Sequence, residues 1–485
     1  MIFDEGLDPS DWDQFSALLT QFVADEYQEL GESLHSKVWQ PLSAESQSYL
    51  QDETLPLESQ DISEVVDQYR RHIRPYRAGN THPRFFGWVQ GCGSVPGLLA
   101  EFAAAAMNSN CGGREHAAIY VERQVMQWCQ QVFGFAGQSA GVLTSGTSAS
   151  THLAMQVAIY HKLGLDHKQK GLFGQSSALR CYTSVEGHSS IIKAIHACGI
   201  GTDNLVVVDT DDAHRISLPA LESHIQQDIN AGFTPFMVIA NAGTVNTGAF
   251  DDFTAIRAVC DRFACWMHVD GAFGAWLRLA QQTYSQLTNG IELADSLAFD
   301  FHKLMYVQYD CGALLVKHGA FQQDVFTVRP NYIAKQGRAL AGGDPWLCDF
   351  GLELSRSFRA LKVWFSIRTY GLNKLGQAIQ LNCELASYLA NLIDQSDHYQ
   401  TVTAPVSTIV TFKLKNLQDI EQNNTLCEEI VTRLQLSGEV VFSLTHWNEF
   451  RVIRASITNH RTRHQDIEKS VRLLDVQAQL VTNNE

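Results

Sequence analysis

The sequence predicts an α/β protein with a mostly parallel central sheet, helices on both faces and a smaller C-terminal α+β domain. Three observations predict it. Short apolar runs alternate with helical patterns through the middle of the chain, the signature of a parallel sheet covered on both sides. A 3.6-residue apolar period follows residue 350, as a long helix requires. Beyond it the pattern changes to strand-like runs and one amphipathic helix. At 485 residues, two or three domains are expected.

The elements follow in order. Residues 11–75 read as helical, with Phe15, Leu18, Leu19, Phe22 and Val23 at helical spacing. The stretch 41–58, with two prolines and many Ser, Glu and Gln, reads as a loop. Residues 1–80 thus form an N-terminal helical arm. Helices are expected over 115–133 and 148–163. Strands are expected at 180–185, 205–209, 236–240, 266–270, 296–299 and 312–317, where apolar runs end in turn or polar residues. These belong to a large α/β domain over 81–370. Leu354, Phe358, Leu361, Val363, Trp364 and Ile367 mark the long helix. Strands over 407–414, 440–444 and 452–457 and a helix over 465–480 form the small domain, 371–485.

Composition bounds the function. Hydrophobic residues are 45% and charged residues 18%, and the formal net charge is −16. An acidic surface repels nucleic acid and anionic membrane, so neither is an expected partner. No apolar run approaches the ~18 residues of a membrane span. The start, Met1 to Glu5, has neither the basic nor the apolar region of a secretory signal. The 11 cysteines show no CxxC pair and no metal-ligand spacing, so no metal site is expected. Free thiols suit a reducing cytoplasm.

The chemistry-bearing residues gather at predicted strand ends, where open α/β sheets place their ligands. Asp300-Phe301-His302-Lys303 puts a lysine beside apolar neighbours, placed to attack an aldehyde; taken alone it would be an exposed loop lysine. Asp270 ends another run and is followed by Gly271 and Ala272. A carboxylate there can hold a protonated ring nitrogen, although Asp also commonly caps helices. Thr144 to Ser150 puts hydroxyls and Gly146 at a helix start, where backbone N–H groups and the helix dipole bind phosphate. His188, in Glu186-Gly187-His188, can stack on a planar ring; alone it would be a structural histidine. Asn241-Ala242-Gly243-Thr244 is a fifth polar strand end. Together they describe a cradle for a flat, phosphorylated, heteroaromatic aldehyde, and the set is far more specific than any member.

The stretch His268–Ala272, then Ala294-Asp295-Ser296 and Phe301-His302-Lys303, resembles the core signature of the group II pyridoxal-phosphate decarboxylases. Ser355 to Lys362 is similar to another segment of that family. The resemblance runs from about residue 60 to the end. It implies the fold type I, aspartate aminotransferase-like architecture and pyridoxal 5′-phosphate as cofactor. It also implies a homodimer with interfacial active sites, across which the N-terminal arm packs. Carried over, Lys303 is the Schiff-base lysine, Asp270 pairs with the pyridine nitrogen, His188 covers one ring face and Ala272 the other. Thr147, Ser148 and His302 hold the phosphate. Thr244 lies near the cofactor's O3′ side or the substrate carboxylate. Tyr332, in Arg329-Pro330-Asn331-Tyr332, resembles the mobile-loop tyrosine that protonates the substrate carbon after CO2 leaves, and Gly337, Gly342 and Gly343 suit a mobile loop.

The chain departs from the family at three places. Asp300 stands where Asn is common, close to the phosphate, so its carboxylate is expected to point elsewhere or accept a backbone donor. Leu304 replaces a common tryptophan. Asn108 to Arg114 is polar and glycine-rich, where aromatic decarboxylases are more apolar. The expected reaction is decarboxylation of an L-amino acid to its amine, with an aromatic amino acid preferred by resemblance. The alternatives are an acidic or diamino acid such as 2,4-diaminobutyrate, or oxidation to an aldehyde, against which Tyr332 argues. Phe86 and Trp88 are candidates for an aromatic pocket, and Arg84 and Arg114 for an acidic side chain. Transamination, C–S lysis and a non-catalytic regulator remain rival readings.

Overall fold

The apolar runs of the middle chain pair into one seven-stranded sheet. The computed structural model describes residues 6–482 apart from 53, 136, 176, 329–337, 416 and 418. The strands are β1 (Ala140–Thr144), β2 (Leu179–Ser184), β3 (Leu205–Val208), β4 (Thr234–Asn241), β5 (Trp266–Asp270), β6 (Ser296–Asp300) and β7 (Gly312–Val316). Their spatial order is β1-β7-β6-β5-β4-β2-β3. Neighbours from β6 through β3 run parallel, whereas β7 is antiparallel to both β1 and β6. All strands but β7 therefore point the same way, and their carboxyl ends share one edge. The middle strands β5 and β6 are buried along their whole length, which is why they read as continuous apolar runs rather than alternating ones.

The small domain carries a four-stranded antiparallel sheet. Its strands are β8 (Tyr399–Thr401), β9 (Ile409–Leu414), β10 (Ser443–Trp447) and β11 (Phe450–Ser456), backed by helices Ile420–Ser437 and His464–Thr482. Leu426, Ile430, Leu434, Ile467 and Leu474 from the helices bury against Phe412 and Ile453 of the sheet.

Four expectations change. The stretch 41–58 is not all loop, because Ala44–Asp52 is helical and Ser43 Oγ accepts the Ser46 N–H at 3.1 Å, a capping bond. The long helix Ala360–Gln395 is broken at Gly371, at φ 70° and ψ 155°. Strands β1 and β8 carry too little apolar signal to be read from the chain. Finally, residues 85 and 86, assigned to the large domain, pack with the small one. Phe85 bridges Val441 in parallel, the Phe86 N–H donates to Val441 O at 2.7 Å, and the Phe86 ring lies 5.6 Å from Phe442.

Buried histidines set the acid limit of this fold. Burial holds His82 at about 4, His268 at about 3 and His460 at about 4, against an ordinary 6.5. The unfolded chain binds these protons first, so their contribution is complete above about pH 6.5 and is lost as pH falls toward 4. Asp251 opposes them, since burial pushes its carboxyl up to about 6, as do Glu186 and Asp270, but burial also lowers His152, His161, His188 and His302. The urea midpoint is expected to drop as pH is lowered from about 7.5 to about 5; a midpoint that rises would contradict this balance.

Candidate active site

Because the strands share a direction, the segments after β1, β2, β4, β5 and β6 meet at one edge. They enclose a cavity of about 260 Å³ lined by Thr147, His188, Asn241, Asp270, Ala272 and Lys303, among others. Of the residues singled out in the sequence, the structure brings these to one place.

Lys303 follows β6 by three residues. Phe301 and Leu304 beside it are fully buried, and Trp276 Nε1 donates to the Asp300 carbonyl at 3.0 Å, so the turn is anchored while the amine faces the cavity. Lys303 Nζ lies 3.3 Å from Asp300 Oδ2. Gly91 crosses directly over this turn: a Cβ there would sit 1.9 Å from the His302 carbonyl oxygen, so only glycine permits the approach.

Asp300 organises the phosphate side. Its Oδ1 accepts the Thr147 N–H at 2.8 Å and its Oδ2 accepts the Thr147 hydroxyl at 3.1 Å. The carboxylate thus takes a backbone donor at the start of helix Thr147–Leu163. Ser148 is exposed on the first turn of that helix. His302 is buried behind the lysine: its Nδ1 accepts the Cys311 N–H at 3.2 Å, its ring lies 4.4 Å from Tyr309, and its Nε2 is 3.5 Å from Asp300 Oδ2.

Asp270 ends β5 and accepts the Ala272 N–H at 3.1 Å. Burial pushes its carboxyl above the ordinary range, and Lys303 pulls it back. A cationic partner would keep such a group ionised. His188 caps helix Ser189–Ala197, its Nδ1 accepting the Ser190 N–H at 3.1 Å. That bond places the ring proton on Nε2. Desolvation by the cavity walls lowers its pKa, so the ring is neutral near pH 7.

Thr244 is a correction. It is buried, its hydroxyl 2.8 Å from Thr247 Oγ1 and accepting the Ala249 N–H at 3.0 Å, and its neighbours Gly243 and Val245 line the cavity in its place. The tight turn after β4 draws the hydroxyl inward. Phe86 is likewise core, whereas Trp88 does line the cavity. Arg84 pairs with Asp466 and Glu439, each at 3.8 Å, and Arg114 lies over the Trp346 ring at 5.5 Å; neither faces the cavity. Tyr332 lies outside the described residues.

Two charged lining residues were given no role in the sequence reading. Arg454, on β11 of the small domain, reaches into the cavity wall, its Nη1 donating to Val245 O at 2.8 Å and its Nε to Ser443 Oγ at 3.2 Å. It is 5% exposed. Its signal was an arginine in the middle of an apolar strand. Glu186, two residues before His188, is the other. Among the described residues no group of side chains could hold a metal ion, and no helix is long and apolar enough to cross a membrane.

The donors fit pyridoxal phosphate: an amine for the aldehyde, a buried carboxylate for the ring nitrogen, an imidazole for the ring face and, beyond the Thr147 donors that Asp300 takes, the first turn of a helix for the phosphate. The model of the pyridoxal-dependent decarboxylase conserved domain matches residues 44–415. The chain belongs to the pyridoxal-dependent decarboxylase family. This decarboxylase is 30% identical to an aromatic-L-amino-acid decarboxylase of Bacillus atrophaeus, over 86% of its own chain and 85% of that protein. It is 26% identical to a phenylacetaldehyde synthase of Arabidopsis thaliana, over 97% of each. Its fold matches the crystal structure of mouse CSAD with a TM-score of 0.90 at 25% identity, covering 97% of this chain and 99% of that one. It is a pyridoxal-phosphate-dependent carboxy-lyase acting on an amino acid.

Proposed function

We propose that this decarboxylase converts an aromatic L-amino acid to its amine and CO2. One observation carries the reading: the cavity that Lys303 lines is also lined by Trp88 and Arg454. Trp88 sits at φ 53°, a left-handed conformation that costs a non-glycine residue about 1–2 kcal/mol. Strain of this kind accumulates where a side chain must be presented to a ligand. The similarity to the bacterial aromatic-L-amino-acid decarboxylase supports the same substrate class.

Bound pyridoxal phosphate supplies an electron sink for the pair left behind when the carboxylate departs. The residues do the rest. Lys303 would hold the cofactor through its amine. Asp270 keeps the ring nitrogen protonated. Neutral His188 limits the tilt of the ring and presents Nε2–H on that side. Thr147, Ser148 and His302 would make up the phosphate side, where the Asp300 carboxylate takes the Thr147 N–H and hydroxyl. Arg454 offers the substrate carboxylate a cation. Tyr332 donates the proton to the substrate carbon, making the reaction non-oxidative.

Tyr332→Phe is expected to slow amine formation and to raise aldehyde and ammonia, read by product chromatography; an unchanged product partition would remove Tyr332 from the mechanism. The whole proposal is tested by assaying CO2 release over a panel of the common amino acids. Release from aromatic substrates above all others supports it, and release confined to acidic or diamino acids overturns the substrate class.

The working unit we propose is a cytoplasmic homodimer. Helix Val95–Met107 exposes Val95, Leu98, Leu99, Phe102 and Met107, an i, i+3, i+4, i+7 stripe of the kind that packs against another helix. Phe102→Glu should shift sedimentation toward monomer and lower activity in parallel; an unaltered dimer would place the interface elsewhere. The free cysteines suit a reducing compartment.

A further inference from the structure

Resting on the decarboxylase reading above, we propose that Glu186 selects the substrate, so that the cavity takes an L-amino acid whose side chain ends in an O–H or N–H donor. Glu186 lies two residues past β2 and forms part of the cavity wall. Its Oε2 is buried and has no hydrogen-bond partner among the described residues. A buried carboxylate oxygen without a donor is a position that a ligand can complete.

The surroundings hold the group in place. Asn246 faces Glu186 and lowers its pKa, but desolvation is the larger effect and raises it. Asn246 is itself fixed, since its Oδ1 accepts the Thr445 hydroxyl at 2.6 Å. Its amide N–H side is therefore the one left for Glu186. Gly187 keeps the following turn tight: a Cβ there would approach Thr183 Oγ1 to 2.9 Å.

Charge then divides the cavity. Apart from the groups assigned to the cofactor, its lining among the described residues carries one cation, Arg454, and one anion, Glu186. No ion pair joins them among the described residues. An amino acid brings one α-carboxylate, which Arg454 can accept. Glu186 is left for the side chain. A donor there satisfies the open oxygen, an apolar side chain leaves it bare, and an acidic side chain is repelled. Trp88 and Phe273 on the same wall favour an aromatic body behind that donor.

The test uses the loaded, full-length enzyme and substrate pairs that differ only in the donor. These are tyrosine against phenylalanine, tryptophan against its benzothienyl analogue, and 2,4-diaminobutyrate against 2-aminobutyrate. A site built around a donor rejects the analogue lacking it strongly, so kcat/KM is expected to favour the donor in at least one pair by on the order of a hundredfold or more. Glu186→Ala should collapse that ratio, and Glu186→Gln, which still accepts a hydrogen bond, should retain part of it. A merely structural role would lower both members of a pair equally and leave the ratio unchanged. That result, or equal turnover within every pair by the wild type, overturns the assignment of Glu186. A preference seen only in the diamino pair keeps Glu186 and overturns the aromatic reading, and CO2 from no amino acid overturns the decarboxylase reading with everything built on it.

Discussion

Lys303→Ala is expected to abolish CO2 release and to remove the visible absorbance of the bound cofactor. Among the described residues no other one lining the cavity carries a primary amine, and the neighbouring Asp300 carboxylate, 3.3 Å away, cannot replace it as a nucleophile toward an aldehyde. The fold should survive the change. Asp300 keeps both bonds to Thr147, Phe301 and Leu304 stay buried, and the Lys303 side chain is 19% exposed. An unaltered circular dichroism spectrum beside zero turnover would separate chemistry from folding. Residual activity in a cofactor-saturated variant would place the reactive amine elsewhere.

The largest expected effect on stability lies behind the cradle, at Arg356→Ala. Arg356 Nη2 is 2.7 Å from Glu122 Oε1, with side-chain exposures of 2% and 1%. Its guanidinium also donates to the carbonyls of Leu143, at 2.7 Å, and Cys111, at 3.1 Å. Glu122 Oε1 in turn accepts the Leu143 N–H at 3.0 Å. The pair thus clamps both backbone groups of Leu143 on β1, four residues before Thr147. Removing the arginine leaves a buried, uncompensated carboxylate, a loss of about 3–5 kcal/mol from a total that is commonly about 5–15 kcal/mol. The urea midpoint should fall sharply, and cofactor affinity with it. The double variant Arg356→Met, Glu122→Gln should recover part of the loss, because it no longer buries a charge. An unchanged midpoint in the single variant would show that the clamp contributes little.

This clamp explains why Ser355 to Lys362 stood out in the sequence before any contact was known. Most of the cradle was legible in the same way. Buried parallel strands such as Trp266–Asp270 and Ser296–Asp300 read as largely apolar runs, and the cavity residues Asp270 and Lys303 stand at or just past their ends.

What sequence could not supply is tertiary. Arg454 joins a cavity built mostly from segments 180 or more residues earlier only because β11 packs the small domain against the turn after β4. Thr244 shares its run with cavity-facing neighbours, and only the fold of the turn shows its hydroxyl bound inward to Thr247 and Ala249. Phe86 and Trp88 are two residues apart and both aromatic, yet one is core and the other cavity wall. Strand β1 was hidden by Gly141, which interrupts its apolar run and where a Cβ would press to 2.7 Å on Leu315.

The account turns on Lys303, and borohydride reduction of the cofactor-loaded protein followed by peptide mass mapping tests it most directly. The structure predicts a phosphopyridoxyl group on the peptide containing Lys303 and on no other. Labelling of a different lysine, or of none, would contradict it.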